Sequence, residues 1–127
     1  MNPRATVLIA IAVGGAIGAL LRAVLGEVAG TGDWPYATLG VNLAGTVALA
    51  ALGALLAWRP RLPHWLNPLV GIGICGSLTT FSTMQLEAVT AMRDGYSARG
   101  VLYIASSVVL GLAAVVATRA VARRVIR

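Results

Sequence analysis

The sequence predicts an all-α membrane protein with four transmembrane helices, the third of which is broken at its centre. The chain has 127 residues, of which 58% are hydrophobic and only 11% are charged, whereas soluble domains average about 25% charged residues. Four apolar stretches follow one another with short connections, and the third contains a run of poor helix formers. The length fits one domain, so we expect residues 1–127 to form a single four-helix transmembrane domain.

The first two helices are expected over about residues 5–26 and 36–58. Each stretch reaches the roughly 20 residues that an α-helix needs to cross about 30 Å of hydrocarbon. No clear cleavage site follows the first apolar run, so we expect this span to be retained rather than removed as a signal peptide. Pro60 and Pro63 end the second helix, because each ring removes a backbone donor and clashes with the preceding turn.

The third helix is expected over about residues 66–92 and the fourth over about 98–120. The third contains the string 76–83, Gly-Ser-Leu-Thr-Thr-Phe-Ser-Thr, in which six of eight residues are Gly, Ser or Thr. Because lipid offers no hydrogen bonds, an irregular backbone at this depth must face protein or a wet cavity. A broken helix near the membrane midplane is typical of transporters and channels that hold an ion.

Positive charge is concentrated at one end of the predicted bundle. The net charge of +6 comes from ten arginines and four acids. With four spans, both termini and the second loop share one side, which holds the arginines at positions 4, 59, 61, 119, 123, 124 and 127. The positive-inside rule places this side in the cytoplasm. Anchoring at the lipid headgroups therefore explains the arginines better than binding to nucleic acid.

Several common kinds of site are missing from the sequence. The single cysteine, Cys75, excludes an intrachain disulfide, and the spaced Cys and His residues of a zinc site do not occur. The GxxxxGK[ST] string of an ATP site is also missing. We therefore expect a membrane protein that is not an enzyme.

Small residues recur at helical spacing, as in the GxxxG motif of Gly14 and Gly18. Such residues let helix backbones approach closely, which favours tight packing between helices. A four-helix chain with so little side-chain bulk encloses no pore of its own. The composition therefore predicts an oligomer, and we expect a dimer.

Each of the four spans contains a distinctive string: 14–18 with Arg22, Pro35 with 38–45, 73–83, and finally Tyr103, Ser107 and Gly111. Together these strings resemble those of the Fluc/CrcB family of fluoride channels. The resemblance implies a small four-helix protein that pairs as an antiparallel dimer in the inner (plasma) membrane. It implies passive, selective export of cytoplasmic fluoride, which would relieve fluoride toxicity.

The resemblance also implies a structural sodium ion at the dimer centre. Backbone carbonyls of Gly76 and Thr79 from both subunits would hold it, and backbone oxygens suit a hard cation. The bound ion would pin two crossed breaks together and add positive potential beside the anion routes. The alternative is that Gly76 only permits a kink in the helix.

Phe81 matches the first phenylalanine of the family's aromatic box. An aromatic ring has a positive edge, which a small anion can approach. Where most members carry a second phenylalanine, this chain has Met84, a flexible and polarizable residue that can fill the space and seal the path. We expect Met84→Phe to preserve fluoride transport.

The resemblance implies that further polar side chains line the fluoride pore. Asn42 can donate an amide N–H to fluoride and so replace part of its water shell. Thr38, one turn earlier, lies on the same helical face. Ser82, Thr83 and Ser107 extend the path as hydroxyl donors. The alternatives are an interhelical hydrogen bond for Asn42 and bonds to the i−4 carbonyl for the hydroxyls.

Two charged residues complete the predicted site. Arg22 ends the first span, where the resemblance favours a positive vestibule that attracts anions, although an interfacial anchor is the alternative. Glu87 is the only acid inside a predicted span, and an intramembrane acid is a functional candidate. It lies one turn after Thr83, where it can accept hydroxyl protons. We expect it to orient donors rather than to contact fluoride.

The sequence also allows two other functions and two kinds of dimer to be compared. A small dual-topology, proton-coupled cation or multidrug exporter needs an acid deep in an early span, and neither of the first two spans has one. A structural subunit without transport does not explain the buried hydroxyls of the break, because burying polar groups is costly. The arginine bias leaves open whether the chain forms an antiparallel homodimer or a heterodimer with a reversed paralogue.

Overall fold

The computed structural model describes residues 2–29 and 34–125, and this part of the chain is helical apart from short connections. The elements are α1 (Pro3–Ala29), α2 (Tyr36–Trp58), a π-helix (Pro68–Cys75), α3 (Gly76–Leu78), α4 (Phe81–Arg93) and α5 (Ser97–Val125). The π-helix, α3 and α4 together make the third span. Four stretches are long and apolar enough to cross a membrane: Pro3–Val28, Tyr36–Trp58, Pro68–Arg93 and Ser97–Val125. The four predicted spans are therefore confirmed.

The connections follow the local chemistry of the sequence. The Arg59 N–H closes α2 on Leu55 O at 2.8 Å, and proline then stops the helix. Between α4 and α5, Gly95 takes a φ of 88°, which glycine adopts without steric cost. Its N–H bonds Met92 O at 3.2 Å, and the Tyr96 N–H bonds Ala91 O at 2.8 Å. This closure turns the chain directly back into the fourth span.

The GxxxG motif packs inside the chain, where α1 crosses the π-helix. A side chain on Gly14 would collide with Leu69 O, and one on Gly18 with Ile74 O. From the other side, a Cβ on Gly73 would lie 2.8 Å from Gly14 Cα. The small residues thus let the two backbones touch, as the motif predicts. The π-helix itself was not expected from the sequence.

The break predicted in the third span is present at Thr79 and Thr80. Thr79 has φ −81° and ψ 152°, and Thr80 has φ −148° and ψ 121°, so both are extended. The span bends by 16° in the middle, so its halves remain nearly collinear. The Thr80 side chain caps α4 by accepting the Thr83 N–H at 3.2 Å. The interruption is therefore a short, capped gap in an otherwise straight rod.

Only a small core is buried within one chain. Met84, Ala88 and Tyr103 form its centre, with Trp34 and Leu39 packed against them. Large apolar side chains on every span remain exposed, including Leu20, Phe81 and Val109. This distribution is typical of helices whose outer faces meet lipid or another membrane chain.

Candidate functional site

The centre of the candidate site is the hydrogen-bonded pair formed by Asn42 and Thr80. The Asn42 Nδ2 amide donates to Thr80 O at 3.0 Å, and the Thr80 N–H donates to Asn42 Oδ1 at 2.8 Å. One side chain from α2 thus satisfies both backbone groups of an extended residue at the break. A buried peptide group without such partners is costly. Asn42 therefore stabilises the interruption, and its second amide N–H remains for another acceptor.

The same bonds release two carbonyls at the break. In a continuous helix the Thr80 N–H would bond Gly76 O, but it donates to Asn42 instead. The Thr83 N–H would bond Thr79 O, but it donates to the Thr80 hydroxyl. Gly76 is exposed, and no atom lies within 4 Å of the position its Cβ would take. The geometry therefore fits carbonyl ligation of a hard cation by Gly76 and Thr79.

Phe81 and Met84 differ sharply in exposure. The Phe81 ring is 67% exposed, whereas Met84 is 7% exposed and packs in the cluster with Ala88 and Tyr103. The two positions therefore do not present an equivalent pair of side chains to the surface of the chain. Met84 acts as a core residue of the single chain, and Phe81 is available to an ion or to a second chain.

Glu87 connects three of the spans through its carboxylate. The Thr38 hydroxyl donates to Oε1 at 2.7 Å, and the Tyr103 hydroxyl donates to Oε2 at 2.8 Å. The donors lie on α2 and α5, while Glu87 is on α4. We expected the Thr83 hydroxyl to donate to Glu87. Its partner is instead the Thr80 hydroxyl, which donates to it at 2.9 Å. Hydrogen bonds to a charged carboxylate are strong, so this group fixes the arrangement of the three helices.

The remaining predicted hydroxyls have local partners. Ser107 donates to Tyr103 O at 2.8 Å, which is the i−4 carbonyl of its own helix. The Ser82 hydroxyl lies 3.4 Å from that of Thr80. Ser82, Thr83 and Thr80 thus form a polar group on the first turn of α4. Ser107 lies on α5, one turn beyond Tyr103.

A large vestibule cavity of 1120 Å³ opens beside the break. Four of the predicted site residues line it together, namely Arg22, Thr38, Thr83 and Glu87. Thr80 and Tyr103 line it as well. Arg99, Asp94 and Glu27 also line it, so its wall carries charges of both signs. The Arg99 guanidinium lies 4.4 Å from the Tyr96 ring centroid, which holds it near the cavity wall.

Comparison with known proteins identifies the family. The family described as "CrcB-like protein, Camphor Resistance (CrcB)" matches residues 9–119 of the chain. The chain belongs to the CrcB family. The resemblance stated from the sequence is thereby confirmed.

Named relatives of this CrcB chain are similar to it over nearly their whole length. "Fluoride-specific ion channel FluC 1" of Mycobacterium bovis is 39% identical over 93% of the chain and 91% of the relative. "Fluoride-specific ion channel FluC" of Caulobacter sp. (strain K31) is 37% identical over 94% and 97%. "Fluoride-specific ion channel FluC 2" of Geobacillus kaustophilus is 40% identical over 85% and 86%.

Two site residues of this CrcB protein were missed as candidates from the sequence. Tyr103 was noted only as part of the resemblance, yet its hydroxyl holds Glu87 and its ring is 1% exposed. Thr80 was noted only as a neighbour of Phe81, yet it accepts the Asn42 amide and caps α4. A signal for Tyr103 was present, because a buried tyrosine hydroxyl in a span needs a partner and Glu87 was the one acid available.

Proposed function

We propose that this protein is a fluoride-selective passive channel that exports cytoplasmic fluoride across the bacterial inner membrane. The observation that carries the proposal is the match, over more than nine-tenths of the chain, to a relative named for fluoride-specific conduction. The broken third span beside a large vestibule supplies the physical means, because irregular backbone in a membrane belongs next to a wet path.

The driving force is the membrane potential, which needs no chemical reaction. An inside-negative potential expels a monovalent anion with about 2.3 kcal/mol per 100 mV. Arg22 lines the vestibule and attracts the anion. The Thr83 and Ser82 hydroxyls and the unspent Asn42 N–H replace water as the ion passes the break. Selectivity then depends on how well these donors match a small anion.

Phe81 completes the path only when a second chain covers it. Its ring is 67% exposed on the single chain, and an anion passing a ring edge in lipid would lose its hydration without compensation. A second copy in antiparallel orientation would enclose the ring between two proteins. The dimer is therefore part of the proposal, as an antiparallel homodimer or as a heterodimer with a reversed paralogue.

Sodium at the dimer centre is part of the same proposal. The carbonyls of Gly76 and Thr79, which have lost their helical partners, would hold the ion. A bound Na⁺ would supply fixed positive charge near the anion path. If the ion stabilises the dimer, the midpoint of thermal unfolding falls when Na⁺ is replaced by a large organic cation. An identical midpoint in both buffers contradicts this part of the proposal.

Fluoride efflux from loaded liposomes tests the function. Vesicles containing the purified protein should release fluoride when valinomycin and K⁺ set a potential, and should retain chloride. A proton-coupled cation exporter would instead move a cationic dye in response to a pH gradient. Fluoride release no faster than from protein-free vesicles would falsify the channel.

A further inference from the structure

A second groove lies at the end of the bundle opposite the vestibule cavity. It is formed between the first two turns of α1 and the loop that joins α2 to the π-helix, and its volume is 450 Å³. Five residues line it: Pro3, Arg4, Val7, Leu8 and His64. We call it the Arg4–His64 groove. Its walls are almost entirely apolar, and Arg4 and His64 are the two polar residues that border it.

The loop that carries His64 is held in place by backbone hydrogen bonds. The Leu62 N–H bonds Arg59 O at 3.2 Å, and the Leu66 N–H bonds Pro63 O at 3.0 Å. These turns place His64 against the first residues of α1. The groove is therefore built by two separate parts of the chain rather than by one helix terminus.

In the part of the chain that the structure describes, this end of the molecule is cationic and has no acidic side chain. The loop adds Arg59 and Arg61, and the Arg59 guanidinium lies 4.4 Å from the ring centroid of Trp58. The last turns of α5 reach the same end after four crossings and carry Arg119, Arg123 and Arg124. Among the described residues, the acids at positions 27, 87 and 94 all line the vestibule cavity instead. The charge at this end thus complements an anionic surface.

We propose that the Arg4–His64 groove binds one anionic phospholipid of the leaflet at this end. Arg4 and His64 hold the phosphate, and Val7 and Leu8 contact the first part of an acyl chain. A free phosphate would accept hydrogen bonds from Arg4 and His64 but leave the apolar walls in water, whereas a lipid covers both. Trp58 and Trp65 flank this loop and are 48% and 38% exposed, as expected of indoles in the headgroup layer.

The size of the effect follows from the charge. One arginine near an anionic membrane surface raises the preference for an anionic over a zwitterionic lipid by about fivefold. Because the proposal concerns the cationic end alone, it does not depend on fluoride conduction. Its failure would leave the proposed function unchanged.

Fluorescence quenching of Trp65 by brominated lipids tests the proposal. The full chain with Trp34→Phe and Trp58→Phe keeps Trp65, next to His64, as its only tryptophan, which can be excited selectively. It is placed in phosphatidylcholine vesicles with increasing fractions of brominated phosphatidylglycerol or brominated phosphatidylcholine. Both leaflets have the same composition, so the direction of insertion does not affect the result. We expect half-maximal quenching at an about fivefold lower fraction of phosphatidylglycerol.

Matched variants distinguish a specific lipid site from general electrostatic attraction of anionic lipids to this end of the protein. Arg4→Gln should remove the preference and His64→Gln should reduce it, while the helix content measured by circular dichroism is unchanged. Arg123→Gln removes the same charge at the same end but outside the groove, and should keep the preference. Equal quenching by the two lipids overturns the proposal, as does an equal loss in Arg123→Gln. Displacement of the lipid by excess inorganic phosphate would assign the groove to a free anion instead.

Discussion

The Asn42 side chain replaces the hydrogen bond that a continuous helix would have given to the Thr80 N–H. Its two contacts, at 3.0 Å and 2.8 Å, reach both backbone polar groups of Thr80 from a neighbouring span. The residue that we propose as a donor to fluoride is therefore also the residue that stabilises the break in the third span. Both roles use the same amide, because an amide nitrogen has two N–H groups and Thr80 uses one.

Replacing Asn42 should destabilise the protein and stop fluoride flux together. Asn42→Leu leaves the Thr80 N–H without a partner, which costs about 1–3 kcal/mol. We expect a lower midpoint of thermal unfolding in detergent and little fluoride efflux. Thr46→Val is the matched control, since it removes a hydroxyl on the next turn of α2 that bonds only Asn42 O. Wild-type stability in Asn42→Leu would show that Asn42 does not support the break.

Phe81 and Met84 should respond differently to substitution. Phe81→Leu changes an exposed side chain, so we expect normal stability but strongly reduced fluoride efflux. Met84→Phe enlarges a residue that is 7% exposed, so overpacking should cost about 1–3 kcal/mol. We expect that variant to keep fluoride transport.

The predictions for Met84→Phe and Phe81→Leu can fail independently of each other. Loss of transport by a folded Met84→Phe protein would show that the site is built around methionine. Normal efflux by Phe81→Leu would remove Phe81 from the path. Unfolding midpoints measured on the same preparations distinguish either result from a general loss of structure.

The crossing of α1 with the π-helix sets the position of the first half of the third span. A Cβ on Gly73 would lie 2.8 Å from Gly14 Cα and 2.9 Å from Ile11 O, and these backbone atoms have no room to move. Gly73→Ala should therefore destabilise the protein by about 1–3 kcal/mol.

Gly53 provides the matched control for that substitution. It lies inside α2, and no atom is within 4 Å of its Cβ position. Gly53→Ala should raise stability by up to about 1 kcal/mol, because alanine is the better helix former. Equal unfolding midpoints for the two variants would contradict close packing at the crossing.

The sequence predicted the spans and the break because both depend on local chemistry. Apolar length defines a span, and a cluster of Gly, Ser and Thr weakens a helix wherever it occurs. The π-helix was not predictable in this way, since its eight residues, Pro-Leu-Val-Gly-Ile-Gly-Ile-Cys, also fit an ordinary apolar helix. Its widened backbone becomes understandable only beside Gly14 and Gly18, which are more than 50 positions earlier.

The hydrogen-bond partners of the site residues could not be predicted from the sequence, because they are brought together only by the tertiary structure. Asn42 and Thr80 are 38 positions apart, and Thr38 and Glu87 are 49 positions apart. The sequence suggested polar roles for Asn42, Thr38 and Glu87 but no pairing between Asn42 and Thr80. The burial of Met84 was hidden for a different reason, because apolar residues lie on all sides of a membrane helix and periodicity does not show its inner face.

At the scale of the whole molecule, the exposed Phe81 ring and the two freed carbonyls lie at the middle of the third span. Lipid can satisfy neither a carbonyl without a partner nor an anion beside that ring. A second chain that covers this face would satisfy both. In antiparallel orientation, its own break would meet this one at the same depth in the bilayer. The single chain thus shows which face a partner must cover.

The distribution of arginines makes membrane orientation the decisive test of that assembly. Seven arginines lie on the side of both termini, against three at or near the other side, and such a bias favours insertion with the termini in the cytoplasm. An antiparallel homodimer requires a substantial population with the termini outside.

We expect cells expressing this chain alone to show both orientations when a terminal cysteine tag, in a Cys75→Ser background, is labelled by an impermeant maleimide before and after lysis. The share of chains with their termini outside should rise when Arg59 and Arg61 are both changed to Gln, because the bias falls from seven against three to five against three. If every tag is cytoplasmic and the purified protein still conducts fluoride without another subunit, the antiparallel homodimer is wrong. If conduction appears only when an oppositely oriented paralogue is co-expressed, the heterodimer is the working channel.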